Sequence, residues 1–410
     1  MGKPKIRFKG YEDDWEQRKL GEIATETYGG GTPKTSNEEF WKGDIPWIQS
    51  SDLIDECLFD VRPRKCISQE AVSKSATKLV PQNSIAIVTR VGVGKLAFMP
   101  FSYATSQDFL SISELKTAPE FTVYALYRMM QLVSNEVQGT SIKGITKDEL
   151  LAKKIIFPSC NEQKKIGAYL HNLDHLITLH QRKCEETKSL KKYMLQKMFP
   201  ENGNCVPKIR FSGFADDWEQ RKLGSLCDVF TDGDWIEAKD QSDSGIRLVQ
   251  TGNVGTTEYL DKKNNKKWIS EETFERLHCE EIYEGDILIS RLPEPAGRAC
   301  IMPDLGVRMI TAVDCTIVRT SKGYDSKYLV QYLSTPMYFK VVNSFLGGGT
   351  RQRISRGNLS GIDIPIPSTI DEQGKIGELF ANFDHLITLH QHKCDELQKL
   401  KKFMLQNMFV

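Results

Sequence analysis

Arginine and lysine on glycine-bearing loops can neutralise phosphates or fork onto guanine edges, and glutamine beside them can read adenine. This chain carries several such clusters. In its first half they are Lys34 in Gly29-Gly-Gly-Thr-Pro-Lys34, Arg90 and Lys95 around Val91-Gly-Val-Gly, and Lys143 closing Gly139-Thr-Ser-Ile-Lys143. In its second half they are Arg291 and Arg298 around Leu292-Pro-Glu-Pro-Ala-Gly, and Arg351, Arg353 and Arg356 after Gly347-Gly-Gly-Thr. Gln49, Ser50 and Ser51, and likewise Gln250 and Thr251, follow short apolar runs and are further candidates for base-edge contacts. A solvated surface loop is the competing reading of each.

Other chemistries find less support. Asp174-His175 and Asp384-His385 are acid–imidazole neighbours. Adjacent residues do not share a helix face, so a polar contact beside a helix pair is the better reading than a catalytic dyad. Gly92-Val-Gly-Lys95 differs from a phosphate loop in its glycine spacing and lacks a Ser/Thr after the lysine. We find no dinucleotide fingerprint, no H-E-x-x-H and no N-P-P-[YFW]. Asp13-Asp14 and Asp216-Asp217 read as caps of the element that follows, and no metal site is expected. Trp47 reads as core, and Trp15 and Trp218 as anchors of their short segment against a helix.

The elements that must position these loops occur twice. Pro4–Gly21 returns as Pro207–Gly224 with 15 of 18 positions identical, and Gln163–Phe199 returns as Gln373–Phe409 with 24 of 37 identical. The segments between the copies share only scattered patterning. One scaffold carries two different heads, which suits presenting two unlike binding surfaces at a fixed distance.

In the repeated C-terminal stretch, Ile166, Leu170, Leu173, Ile177 and His180 fall at alternating steps of four and three. Ile376, Phe380, Phe383, Ile387 and His390 keep the same register. That is a coiled-coil seam, on helices ~55 Å long. The chain returns between them through a whole head, so an antiparallel pair about a pseudo-twofold axis is expected, in a circular order that joining 410 to Pro4 would close.

Each head reads as mixed α/β. Strands are expected at Ile45–Gln49, Ser84–Arg90, Lys95–Met99 and Leu110–Ser113, with a helix at Thr122–Val137. The second head offers Arg247–Gln250, Asp286–Arg291, Ala299–Met302 and Cys315–Arg319, with a helix near Lys327–Asn343. Both close on a proline-bearing strand and then Asn161-Glu-Gln or Asp371-Glu-Gln, which suits the N-terminus of the long helix. The expected divisions are 1–24, 25–162 (first head), 163–199 (first long helix), 200–227, 228–372 (second head) and 373–410 (second long helix). The fold class is α+β: two mixed α/β domains joined by two long antiparallel helices.

Length favours two or three domains. No apolar run approaches the ~20 residues of a membrane span, and the first residues lack the apolar core of a signal peptide. The ten cysteines form no C-x-x-C pair, which fits reduced thiols in a cytoplasm. Net charge is +1. Residues 25–162 hold 15 basic against 16 acidic side chains, and 228–372 hold 17 against 22. The heads are therefore not basic bodies, and DNA contact would rest on local clusters plus phosphate contacts from a partner.

The ordered set of motifs resembles the specificity subunit of type I restriction–modification systems over essentially the whole length. It comprises the doubled D-D-W-E-Q-R-K-L-G, Gly30-Gly-Thr-Pro33, Ile45-Pro-Trp-Ile-Gln-Ser-Ser-Asp-Leu53, Gly285-Asp-Ile-Leu-Ile-Ser-Arg291 and the repeated x-E-Q long helix. The resemblance implies that each head is a target-recognition domain reading one half of a split double-stranded DNA sequence. It implies that the helices set the spacer and dock two modification (methyltransferase) subunits, joined by restriction subunits. S-adenosylmethionine, ATP and Mg would bind those partners, and this chain would bind no cofactor and catalyse nothing. Half-sites about one helical turn apart, ~34 Å, are expected. The second head departs from the pattern in lacking Gly-Gly-Thr-Pro; Asp232-Gly-Asp-Trp235 lies near that place. A non-catalytic protein adaptor with two heads is the main alternative, and an enzyme using the Asp-His pairs is the other.

Overall fold

The computed structural model describes residues 3–137, 144–201, 204–262, 264–347 and 352–410. They fall into two compact units, 1–181 with 392–410, and 182–391. The division passes through both long helices, so each unit holds a short segment, a head, the first part of the following long helix and the end of the other.

The first unit runs β1 (Glu16–Lys19), β2 (Ala24–Gly29), β3 (Ile45–Ile48), β4 (Lys65–Ile67), α1 (Gln69–Lys74), β5 (Ser84–Val88), β6 (Leu96–Met99), β7 (Ala104–Thr105), β8 (Phe109–Leu115), α2 (Pro119–Val137), α3 (Lys147–Ala152), β9 (Lys154–Phe157) and into α4 (Cys160–Lys197). β2, β8, β5 and β6 form an antiparallel sheet in that order, and β4, β3 and β7 a smaller one in which β3 and β7 run parallel. Every residue of β5 is buried, as a continuous apolar run requires of a central strand. β1 pairs antiparallel with β9, so the short D-D-W-E-Q-R-K segment is stitched to the strand that enters α4.

The second unit repeats this plan. It runs β10 (Glu219–Lys222), β11 (Cys227–Asp232), β12 (Gln241–Ser242), β13 (Ile246–Val249), β14 (Lys267–Ile269), α5 (Glu271–Leu277), β15 (Glu281–Ile282), β16 (Ile287–Ser290), β17 (Ala299–Ile301), β18 (Met309–Thr311), β19 (Cys315–Thr320), α6 (Ser326–Tyr332), α7 (Pro336–Ser344), α8 (Arg356–Ser360), β20 (Asp363–Ile366) and α9 (Ile370–Asn407). The order β11-β19-β16-β17 matches the large sheet of the first head, and β13 lies parallel to β18 as β3 does to β7. The single helix expected near Lys327–Asn343 is two. Pro336 cannot continue α6, and Thr335 caps α7 by accepting from the Tyr338 amide.

The long helices are each 38 residues, starting three residues before the repeated stretch. In the first unit Ile166, Leu170, Leu173 and Ile177 are buried in one core with Leu397, Met408 and Phe409. Phe409 stacks on Phe121, whose amide abuts Gly167, while Lys401 reaches Asp174, so the two helix segments run antiparallel there. In the second unit Ile376 and Phe380 are buried with Leu195, Met198 and Phe199, and Phe383 packs half-buried against them. There Phe199 stacks on Phe380 and Lys191 reaches Asp384, again antiparallel. Ile387, His180 and His390 are half-buried. Both helices carry a glycine where the head's own helix begins. A Cβ on Gly167 would lie 2.7 Å from the Phe121 nitrogen, and one on Gly377 2.7 Å from that of Tyr328. Only glycine lets the elements meet so closely.

The short segments are latched identically. Arg7 forks onto Glu162 (2.7 and 2.9 Å) and Arg210 onto Glu372 (2.7 and 2.9 Å), with both carboxylates fully buried. The Glu of each x-E-Q is thus an anchor for an arginine 155 or 162 residues earlier. Trp15 meets Phe121, and Trp218 meets Phe199 and Tyr328, edge to face.

Candidate nucleic-acid interface

In the first head, β2, β3, β5 and β7 end at one rim. The Gly30 and Gly31 amides donate to the Phe109 and Thr105 carbonyls, Ser106 to Ile48, Thr89 to Asp108, and Ile145 to Thr89. Those bonds gather the loops bearing Lys34, Gln49–Ser51 and Arg90. The second head repeats the set: Gly233 to Cys315, Asp234 to Thr311, Ala312 to Val249, Arg291 to Asp314 and Ile354 to Arg291. Gln250 and Thr251 stand where Gln49 and Ser50 do, and Asp232-Gly-Asp-Trp235 takes the course of the Gly-Gly-Thr loop.

This equivalence re-sorts the candidate side chains. Lys34 and Arg90 are exposed, Gln49, Ser50, Gln250 and Thr251 are half-buried, and Ser51 is exposed. Lys143 and Arg351 lie outside the described residues. Lys95 and Arg298 are matched braces rather than free cations. The Lys95 ammonium donates to the Leu53 carbonyl at 3.0 Å, and Arg298 donates to Val254 (2.7 Å), Thr251 (2.8 Å), Leu292 (2.8 Å) and Pro295 (3.0 Å). Burial lowers the guanidinium pKa of Arg298.

Arg291 corresponds to Thr89 and not to Arg90, and its place is inside the rim. It is 6% exposed and donates to the Val313 carbonyl at 2.7 Å. Its guanidinium lies 3.3 Å from Asp232 and 3.7 Å from Asp314. Arg356 approaches Asp232 at 3.9 Å and Arg353 approaches Asp314 at 3.5 Å. The result is a chain of alternating charge, Arg356–Asp232–Arg291–Asp314–Arg353. The outer arginines have side chains 49% and 60% exposed. Their contacts are long, so water and a phosphate can compete for both. Arg356 also borders a surface groove with Lys222, Ser225, Phe230, Thr231 and Ser360.

Sequence reasoning missed Lys147, which opens α3 as Arg356 opens α8, behind the matched caps Thr146 and Ser355. The signal was an isoleucine, a hydroxyl residue and a base in both heads. Trp47 is core as expected: it is 4% exposed, and its indole N–H supports the Gly31 carbonyl at 3.0 Å.

The Asp-His pairs are divided. Asp174 binds Lys401 (2.6 Å) and the Tyr124 hydroxyl (2.5 Å), and Asp384 binds Lys191 (2.5 Å) and Gln331 (2.8 Å), while His175 and His385 are exposed. Among the described residues, no group of three or more His, Cys, Asp or Glu could hold a metal ion, and no helix is long and apolar enough to cross a membrane.

Two α+β heads with equivalent rims and unlike side chains define a two-site recognition protein built by duplication. Its family follows from comparison with known proteins. The family model described as type I restriction modification DNA specificity domain matches residues 12–189 and again 215–399, and the chain belongs to that family. It is 30% identical to the type I restriction enzyme MjaIX specificity subunit of Methanocaldococcus jannaschii, over 53% of this chain and 52% of that one. In that alignment the chain spans about half the relative's length. It is 22% identical to the MjaVIII specificity subunit of the same organism, over 95% of this chain and 91% of that one. Among solved structures, a type I restriction–modification S subunit from M. genitalium superposes with a TM-score of 0.66 at 14% identity, covering 100% of this chain and 99% of that one. At that identity the likeness concerns the fold alone.

Proposed function

We propose that this chain is the DNA-reading subunit of a type I restriction–modification complex, each rim reading one half of a bipartite duplex target. The observation that carries the reading is the rim itself: one hydrogen-bonded plan built twice, with different exposed side chains on each copy. A protein made to read two different half-sites needs that combination. Exposed Lys34, Arg90 and Lys147 in the first head, and Arg353 and Arg356 in the second, are the proposed DNA contacts, with Gln49–Ser51 and Gln250–Thr251 toward base edges. Lys95, Arg298 and Arg291 position the loops.

In this reading the long helices form the antiparallel spacer and dock two methyltransferase subunits, with restriction subunits joining the assembly. S-adenosylmethionine, ATP and Mg act on those partners in the cytoplasm, and this chain performs no chemistry of its own.

Co-expression with a methyltransferase subunit, followed by methylome sequencing, tests the proposal. A split adenine-methylated motif that depends on this chain is expected. Methylation without a motif, or a motif indifferent to exchange of residues 228–372 for another head, would sink it and favour an adaptor. A four-residue insertion in α4 should lengthen the accepted spacer; an unchanged spacer removes the ruler role.

A further inference from the structure

Trp235 is 70% exposed, the largest value among the exposed large apolar side chains of the described residues. Its backbone is nevertheless braced on both sides. On one side Asp234 bridges Ala312, its amide donates to Thr311 (2.9 Å), and its carboxylate accepts from the Glu280 amide (2.9 Å). On the other side Ile236 packs into the small-sheet core, and Glu237 opens a short helical turn with Asp240, which Arg276 holds at 2.6 Å. An indole held out to water on a fixed backbone is unlike the other five tryptophans: Trp15, Trp47 and Trp218 are 1%, 4% and 2% exposed, and Trp41 and Trp268 are half-buried.

Its place is the second head's rim. Trp235 follows Asp232, the carboxylate between Arg291 and Arg356, by three residues. The Val313 amide donates to the Asp234 carbonyl (2.9 Å), and Asp314, the next residue, faces Arg353. The matching position of the first head is Thr32, which has no ring to offer.

We propose that Trp235 is a specificity-determining residue of the second head, making an apolar contact with the bases of its half-site while Arg353 and Arg356 hold the adjoining backbone. A flat apolar ring on the same rim as two exposed cations matches a duplex, whose charged strands flank apolar base faces and thymine methyl groups. The inference rests on the DNA-reading function proposed above.

The test is methylome sequencing of hosts carrying the whole complex with this chain as wild type, W235A, W235F or R356A. Wild type reports a bipartite motif. W235A should relax one position by about tenfold or more, in the half-site that changes when residues 228–372 are exchanged, with the other half-site intact, whereas R356A should lower methylation without altering the motif; W235F should largely retain the preference. A duplex of that motif with deoxyuridine for thymine then separates the two apolar contacts: weaker binding by wild type but not by W235A marks a methyl contact, and equal binding marks stacking on the base face. An unchanged W235A motif at unchanged methylation overturns the proposal. So does W235A failing to join the methyltransferase on gel filtration while its melting curve is normal, which would make the indole a protein contact. If wild type itself yields no motif, the proposed function fails first and this inference with it.

Discussion

The two rims share a backbone and differ in what stands on it. Where the second head has Asp232, Arg291, Arg353 and Arg356, the first has Gly29, Thr89, Gly144 and Lys147. The second rim is held by alternating charge, and the first by a hydroxyl, Thr89, donating to the Asp108 carbonyl at 3.0 Å. Beneath them the braces are the same in kind. Lys95 and Arg298 tie the strand-end loop to Leu53 and Val254, and Asp52 and Asn253 accept from the amides of Gln49 and Gln250. In a duplicated chain, what both copies keep is support. What they change is the surface offered to a target.

The largest effects should fall on the shared support and be equal in both units. E162A and E372A each strip a half-buried arginine of its buried carboxylate partner and should cost about 3 kcal/mol, read by denaturant unfolding. A loss confined to one unit would show that the latches are not equivalent. Next, R291A leaves Asp232 and Asp314 facing each other and should cost about 3 kcal/mol, whereas T89A in the first head loses one hydrogen bond, about 1 kcal/mol. Equal costs would erase the contrast drawn between the rims.

Smaller effects probe the surface. R353A, R356A, R90A and K34A should change stability by less than about 0.5 kcal/mol, yet each phosphate contact among them should lower the salt slope of DNA binding by about 1. A base contact would instead relax one motif position. The smallest effect concerns Asp234, whose carboxyl pKa is raised by burial. A raised pKa means the native state holds the proton more firmly, so this group stabilises at low pH and that contribution is lost as pH rises through its folded value. D234N should therefore stabilise slightly near neutral pH, by well under about 1 kcal/mol, with the gain vanishing in acid. A gain that persists in acid contradicts the assignment.

Much of this architecture was legible. Seven-residue patterning gave the two long helices because their stripe has no other use, and the apolar runs of β5 and β16 marked central strands. The site was legible as loops but not as side chains. Arg291 and Arg90 look alike in sequence, yet the ladder registers make Arg291 the counterpart of Thr89, and only packing reveals that Arg291 itself is buried between two carboxylates. Lys95 and Arg298 mislead for the same reason: charge does not say whether a cation faces water or a carbonyl. The latches Arg7–Glu162 and Arg210–Glu372 join residues too distant for local patterning. The break before Pro336 was visible and overlooked.

The division of the chain also imposes an order of assembly on the ribosome. The second unit, residues 182–391, has every residue it needs once position 391 has been made. The first lacks Leu397, Met408 and Phe409 of its core until residues 392–410 arrive. The head synthesised earlier is therefore completed later, and it must wait with part of its apolar interior uncovered while its twin folds.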